Sequence, residues 1–309
     1  MITCVRIGFV KDLAIIIVNF NVSDLLRNCL VTVFNSNQDI YCEVCVVDNS
    51  SEDDSAKMVA LEFPQAHLIA NHENVGYPSA NNQGMRFFGF DVQESIPEYR
   101  YVLLLNPDTE VPPDAFTKLI SYLDKNSEVG VIGPKLVLPT GELDLACRRS
   151  FPTPEVSFYR MIGLSRIFPR SKRFGRYNMT YLDDSVTAEI DSVVGAFMMV
   201  RAEAIQQVGL MDEQFWMYGE DLDWAKRIKD SGWKVVYYPE VSVLHIKRAS
   251  SRHSRRARIE FYRAMLIFYY KYYRDQTSWF LHWLVLIGIA IKGGRSSLGY
   301  VMQGSSIVK

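Results

Sequence analysis

Apolar residues along this chain fall into short runs that stop abruptly at polar turn residues, and between the runs they recur every three or four positions. The sharpest run is Tyr101 to Val111, YVLLLNPDTEV, in which five of the first six residues are aromatic, β-branched or leucine. Too short and too soon broken for a helix, it predicts a strand buried on both faces that ends at Asn106-Pro107. Leu13 to Val18, Glu43 to Val47 and Ala66 to Ala70 predict three earlier strands. Val22 to Phe34, Asp54 to Phe63 and Ser79 to Phe90 carry helical spacing between them. Strands alternating with helices in this way predict crossover connections and an α/β fold with a mostly parallel sheet.

Further along, Pro112 to Asn126 predicts a helix opened by prolines, whose missing N–H costs nothing in a first turn. Val129 to Leu138 predicts a strand interrupted at Gly133-Pro134, and Val193 to Val200 another. Arg148 to Tyr181, rich in prolines and basic residues, is expected to be an irregular, mobile excursion. Glu220 to Ser231 predicts a helix closed by Gly232, and Trp233 to Leu244 a late strand ending at His245.

The polar residues at the strand ends are where chemistry is expected. In an open α/β sheet, ligands bind beyond the carboxyl ends of the strands, and Asn19-Phe20-Asn21, Asp48-Asn49-Ser50, Asn71 to Gly76 and Asp108 should share one rim. No G-x-G-x-x-G follows the first strand and no G-x-x-x-x-G-K-[ST] occurs, which argues against dehydrogenase and kinase readings. A nucleotide can be held without them. Asp48 is placed to accept hydrogen bonds from a base or ribose, and Asn74, Gly76, Asn81 and Asn82 to supply amide contacts and a close backbone approach.

Asp108 could hold a hard divalent cation, Mg2+ or Mn2+, which needs only one or two protein groups when substrate phosphates complete its shell. His245 is a candidate second ligand, and an imidazole would favour Mn2+ slightly. The alternative is that Asp108 and Thr109 merely form a turn. Phe215 to Asp223, FWMYGEDLD, places Glu220, Asp221 and Asp223 in the first turn of a helix. A helix dipole favours acids there in any case, but an aromatic, glycine-containing loop ahead of them also suits a positioned general base.

Composition refines this picture. With 309 residues and 48% hydrophobic content the chain can bury a sizeable core. Its 34 basic and 35 acidic residues nearly cancel, which argues against a nucleic-acid partner. The five cysteines, Cys4, Cys29, Cys42, Cys45 and Cys147, are odd in number and scattered, so no disulfide framework is expected. Cys42 and Cys45 read as core residues. Leu13 to Val18 lacks the features of a signal peptide, and the expected location is cytoplasmic.

Taken in order, Val18 to Asn21, Val46 to Ser51, Asn74-Val75-Gly76 with Asn81-Asn82, Leu105 to Thr109, Gly195 to Met198 and Met217 to Asp223 resemble the motifs of family 2 glycosyltransferases. They look most like the bacterial rhamnosyltransferase branch, over about Leu13 to Tyr273. The resemblance implies a GT-A fold and inverting transfer of a sugar from a nucleotide diphosphate donor, dTDP- or UDP-linked. Asn19, Asn21, Asp48, Asn49, Asn74, Gly76, Asn81, Asn106 and Asp108 would then line the donor site, with Asp108 and His245 as metal ligands. Asp221 would be the catalytic base with Glu220 beside it, and Gly195, Trp216 and Tyr218 would meet the acceptor. Asn106 stands where the wider family has the first acid of D-x-D, so affinity for the ion without donor should be weak. A nucleotide-binding protein of the same fold without turnover is the rival reading. A nucleotidyltransferase would want a glycine-rich basic loop after the first strand, which is absent.

Residues 1–250 are expected to form the transferase domain and 251–309 a helical extension. Lys247 to Asp275 holds nine Lys or Arg against Glu260 and Asp275, a local net of +7. Trp279 to Ile291, WFLHWLVLIGIAI, is too short to span the roughly 30 Å hydrocarbon core of a bilayer. Trp, Tyr and clustered basic residues favour headgroups, so an in-plane anchor at the inner face of the cell membrane is expected, with a lipid-linked or other saccharide acceptor. The alternatives are a packed helix or a contact between two copies.

Overall fold

A computed structural model describes residues 11–36, 40–91, 98–247 and 255–308. Cys4, and Arg248 and Arg252 among the nine basic residues counted above, lie outside the described residues. The first half alternates as expected. Strand β1 (Lys11–Asn19) leads to α1 (Ser23–Asn35), β2 (Cys42–Asp48) to α2 (Ser55–Glu62), β3 (His67–Ala70) to α3 (Tyr77–Phe87), and then to β4 (Tyr99–Leu105). β1 lies between β2 and β4, parallel to both, and β3 extends the parallel set beyond β2. That central position is why Leu13 to Val18 is an unbroken apolar run: both faces are covered. Each fully buried Ile of this strand contributes about 1.5–3 kcal/mol. Helix α1 turns Leu26, Cys29, Leu30 and Val33 inward at helical spacing. Gly84 lets α3 lie close on β1, since a Cβ there would sit 2.6 Å from Ile16.

Among the described residues the second half completes a nine-stranded mixed sheet. β5 (Thr109–Glu110) and α4 (Ala115–Lys125) precede β6 (Val129–Val137), and α5 (Pro154–Met161) and α6 (Leu164–Ile167) precede β7 (Ala188–Ile190). There follow β8 (Phe197–Arg201), α7 (Ala202–Val208), α8 (Glu220–Asp230) and β9 (Lys234–His245). The strand order is β3-β2-β1-β4-β8-β6-β9-β5, with β7 also on β9. β8 runs antiparallel to both β4 and β6, while β6 and β9 are parallel. β9 bulges where its register against β6 jumps between Pro134 and Lys135, and its two halves pair with β7 and then β5.

Three local expectations change. Helix α4 starts at Ala115 rather than Pro112, because the Pro112 carbonyl first accepts a turn hydrogen bond from Ala115 N. Val193 to Ala196 is a turn and not strand, because Gly195 uses its backbone groups on side chains of other elements, as described below. The stretch from Arg148 to Tyr181 is not structureless: Thr153 caps α5 by accepting from Val156 N, with Pro154 in the first turn.

The C-terminal helices are α9 (Arg255–Tyr272), α10 (Trp279–Gly293) and α11 (Arg295–Gln303). They close a second apolar cluster in which Ala264, Ile267, Phe268, Leu286 and Ile289 surround Phe215 and Leu222. Phe215 and Leu222 bracket the start of α8, so the extension is packed directly behind the loop that carries Glu220 and Asp221. Among the described residues no helix is long and apolar enough to cross a membrane.

Candidate active site

β1, β2 and β4 end at one rim, and the polar residues there are knitted together. Asn19 donates to Asp48 at 2.8 Å and to Ser51 at 3.1 Å, and Asp48 accepts from Ser51 N. Asn21, at φ +54, accepts from Glu52 N. Asn49 ties two loops by donating to Asn74 and the Gly76 carbonyl while accepting from Val75 N and Asn71. Asn74 in turn accepts from Gly76 N. These residues build the rim by bonding one another. The groups left over are Asn19 Oδ1 and Asn81 Oδ1, buried without a hydrogen-bond partner. Asn82 is committed elsewhere: its amide donates to Met211 O and Glu213 and accepts from Met211 N, so it anchors α3 and is not free for a nucleotide.

Gly76 does serve a close approach, but to protein. At φ +90 it packs so tightly that a Cβ would lie 2.6 Å from the Trp216 carbonyl, and the next amide, Tyr77 N, donates to that carbonyl. This contact brings the Trp216-Tyr218 loop to the sheet rim. Trp216 Nε1 is buried without a partner, and the Arg256 guanidinium stacks 3.7 Å from the Trp216 ring.

Asp108 and His245 are brought together by β5. Thr109 pairs with His245 in register, and Ile246 N donates to the Asp108 carbonyl. His245 Nε2 lies 3.5 Å from Asp108 Oδ1, an oxygen that is buried and without a hydrogen-bond partner. On its other side His245 Nδ1 meets Asp144 Oδ2 at 2.8 Å. Burial would lower the His245 pKa, but Asp108 and then Asp144 outweigh it and raise it to about 9. Asp144, desolvated yet paired with His245 and Lys247, is held well below the usual carboxylate range.

This donor set fits a hard divalent cation completed by substrate. It offers one orphaned carboxylate oxygen and, once a cation displaces the Nε2 proton, one imidazole nitrogen, the imidazole oriented from behind by a carboxylate as metal-bound histidines commonly are. No cluster of three His, Cys, Asp or Glu that could hold an ion unaided occurs among the described residues, so a cation here would need substrate phosphates or water for the rest of its shell. Asp144→Asn is therefore expected to weaken Mn2+ binding in the presence of a nucleoside diphosphate about 10–100-fold, read by Mn2+ titration. Unchanged affinity would remove Asp144 from that role.

The helix α8 acids have three different environments. Asp223 is fully buried and satisfied by Arg227, Lys271 and Tyr272, a structural role. Asp221 accepts from Arg149 Nη2 at 2.7 Å and Gly195 N at 2.9 Å on one oxygen, and from Leu222 N on the other. Glu220 Oε2 is buried without a partner. Burial first, then the neighbouring Asp221 charge, raises the Glu220 pKa far above the carboxylate range.

Tyr77 joins the two groups of acids. Its hydroxyl donates to the Gly195 carbonyl at 2.8 Å and lies 3.2 Å from Asn106 Oδ1, two residues from Asp108. Glu220, Asp221 and Asp108 all act on its pKa, which burial above all raises. Tyr77, Arg149 and Asp144 escaped the sequence reading. Only Tyr77, directly after the Asn74-Val75-Gly76 motif, had a position that could have flagged it.

A mixed sheet with its polar rim, an aspartate beyond β4 and an acidic start to α8 match a GT-A glycosyltransferase. The family Glycosyl transferase family 2 matches residues 14–209, and the chain belongs to it. A second family, described as the N-terminal domain of galactosyltransferase, matches residues 170–253. The chain is 27% identical over 210 residues, 67% of each chain, to an N-acetylglucosaminyl-diphospho-decaprenol L-rhamnosyltransferase of Mycobacterium tuberculosis. It is 24% identical to a dTDP-rhamnosyl transferase of Shigella flexneri, covering 74% of this chain and 67% of that one. Among solved structures it resembles a mannosyltransferase of Pyrobaculum calidifontis in complex with GDP-Man and Mn2+. There the TM-score is 0.54 at 16% identity, over 97% of this chain and 74% of that one. That likeness concerns the fold.

Proposed function

We propose that this family 2 enzyme is a metal-dependent, inverting transferase that moves rhamnose or a similar hexose from a dTDP- or UDP-linked donor to a lipid-linked saccharide at a membrane surface. The single observation that carries the reading is that Tyr77 bridges the two groups of acids: its hydroxyl meets the carbonyl of Gly195, whose N–H donates to Asp221, and lies 3.2 Å from Asn106 Oδ1, two residues before Asp108. A divalent cation bound at Asp108 and His245 would neutralise the departing diphosphate as a Lewis acid. The remaining work falls to side chains. Asp48 and the asparagines of the rim would orient the nucleotide. Of two adjacent buried carboxyl groups only one readily carries charge, and the Arg149 pair gives it to Asp221. Asp221 then takes the proton of the acceptor hydroxyl, while protonated Glu220 donates a hydrogen bond to the acceptor sugar. A diphosphate needs no acid to protonate it, so single displacement with inversion follows.

The named relatives support the rhamnosyl and lipid-linked parts. The outer face of α10 supports the surface location: Trp279, Phe280, Trp283, Ile287 and Ile291 are exposed, although this face is as apolar as the buried one. At 1.5 Å per residue the helix is about 22 Å long, suited to lying in the interface. Incubating the protein with a panel of nucleotide sugars and Mg2+ or Mn2+, and following nucleoside diphosphate release, tests the reading. Turnover of a dTDP- or UDP-hexose that EDTA abolishes is expected; release unaffected by EDTA would contradict metal dependence.

A further inference from the structure

A cavity of about 470 Å³ lies between α5, α8, α9 and α10, behind the loop that leads into Glu220 and Asp221. Its size is that of a small-molecule site. Met161, Leu222, Phe268, Leu284, Val285 and Ile289 make its wall, and Gly288 widens it by having no side chain beside Met161. The charged residues that line it are Arg160, Arg166 and Lys292, all basic. A pocket with hydrocarbon walls and cationic groups matches an amphiphile with an anionic head.

Its lining joins features already described. It includes Tyr218, Gly219 and Leu222, the chain that leads into and beyond Glu220 and Asp221. Tyr177, also in the wall, acts on the Arg149 guanidinium that grips Asp221. It also includes half-exposed Phe158 of α5 and Leu284 of α10, the helix that carries exposed Trp283 and Ile287. Thus the cavity reaches from the outward apolar surface to the loop before the acids.

We propose that this cavity binds the first part of the hydrocarbon chain of a lipid diphosphate acceptor, with Arg160, Arg166 and Lys292 facing its diphosphate. The inference rests on the lipid-linked acceptor of the preceding reading and names where that lipid is held. An acceptor so placed would present its sugar at Tyr218 and the start of α8 while the rest of its chain remains in the bilayer. Tyr218, at φ +69 and with its ring edge-on to Phe261, lines the cavity two residues before Glu220.

The test uses farnesyl diphosphate as probe, with isopentenyl diphosphate and inorganic pyrophosphate for comparison. Equilibrium binding is measured on the full chain with its donor site filled by excess UDP or dTDP and Mn2+. Farnesyl diphosphate should bind at least about tenfold more tightly than isopentenyl diphosphate, because the added apolar chain is buried. Leu284→Glu and Gly288→Phe should each weaken farnesyl diphosphate binding about tenfold or more, leaving the affinity for UDP or dTDP with Mn2+ unchanged. Should Gly288→Phe fail to fold, Leu284→Glu, at a half-exposed position, carries the test alone. Equal affinity for the three probes, full displacement of farnesyl diphosphate by the nucleotide, or wild-type binding in a folded Leu284→Glu protein would overturn the proposal. Donor turnover is scored separately, so loss of the lipid site and loss of the transferase reading give different results.

Discussion

In Asp108→Asn, Mn2+-dependent release of nucleoside diphosphate falls by about 10³-fold or more, a loss of roughly 4 kcal/mol of transition-state stabilisation. The substitution is nearly isosteric, so its effect isolates charge. Asp108 Oδ1 is buried, lacks a hydrogen-bond partner and faces an imidazole at 3.5 Å. An amide there cannot offer an anionic ligand, and its Nδ2 would face the cation. Because Asn106 supplies no charge of its own, the single carboxylate has no substitute on β4. Excess Mn2+ should recover only part of the rate. A variant within tenfold of the wild type would mean that the ion is held elsewhere.

Asp221→Asn is expected to lower transfer by about 10³-fold while nucleotide binding persists, whereas Glu220→Gln retains activity within about tenfold near neutral pH. The asymmetry follows from the protons. Glu220 in the fold is already a neutral acid at neutral pH, which Gln imitates; Asp221 is the charged partner of Arg149, which Asn does not imitate. Persistent transfer by Asp221→Asn would remove it as base.

Glu220 also sets a pH dependence whose sign can be worked out. Its folded pKa is raised above the unfolded value, so between those two values the folded state keeps a proton that the unfolded state has lost. Stability therefore falls as pH rises through that window and stays lower above it. Glu220→Gln should flatten this slope and raise the melting temperature at pH 8–9, by about 2–4 °C per kcal/mol relieved, with little change near pH 4. An unaltered stability profile would mean that the Glu220 carboxyl is relieved by solvent or a partner.

The parallel half of the sheet was legible because β1, β2 and β4 are covered on both faces and read as unbroken apolar runs between amphipathic helices. The antiparallel strands were less so. Val193 to Val200 has the same apolar character as a strand throughout, yet Gly195 is withdrawn into a turn by Asp221 and Tyr77, contacts from distant parts of the chain. Strand β5 is two residues long, with no period to detect, and it is the pairing of Thr109 with His245 that sets the histidine beside Asp108. The rim aspartates and the acids of α8 could be singled out by type and position. Arg149 could not: it is one basic residue among many in a proline-rich stretch, and only burial against Asp221 distinguishes it. Asp144 sits likewise in a loop without periodicity. The basic excess of α9 is partly internal, since Lys271 pairs with Asp212 and Asp223 and Arg256 stacks on Trp216. Composition shows such charges but not where they turn.

The central claim is that one cleft holds the cation-bound diphosphate and the proton-accepting carboxylate on facing sides. The most direct measurement is the anomalous scattering of Mn2+ in crystals grown with the hydrolysed or intact nucleotide sugar. The account predicts one peak within bonding distance of Asp108 and His245 and of the diphosphate, with the sugar carbon directed at Asp221 and Glu220. A peak bound to other residues, or a sugar turned away from the start of α8, would contradict it.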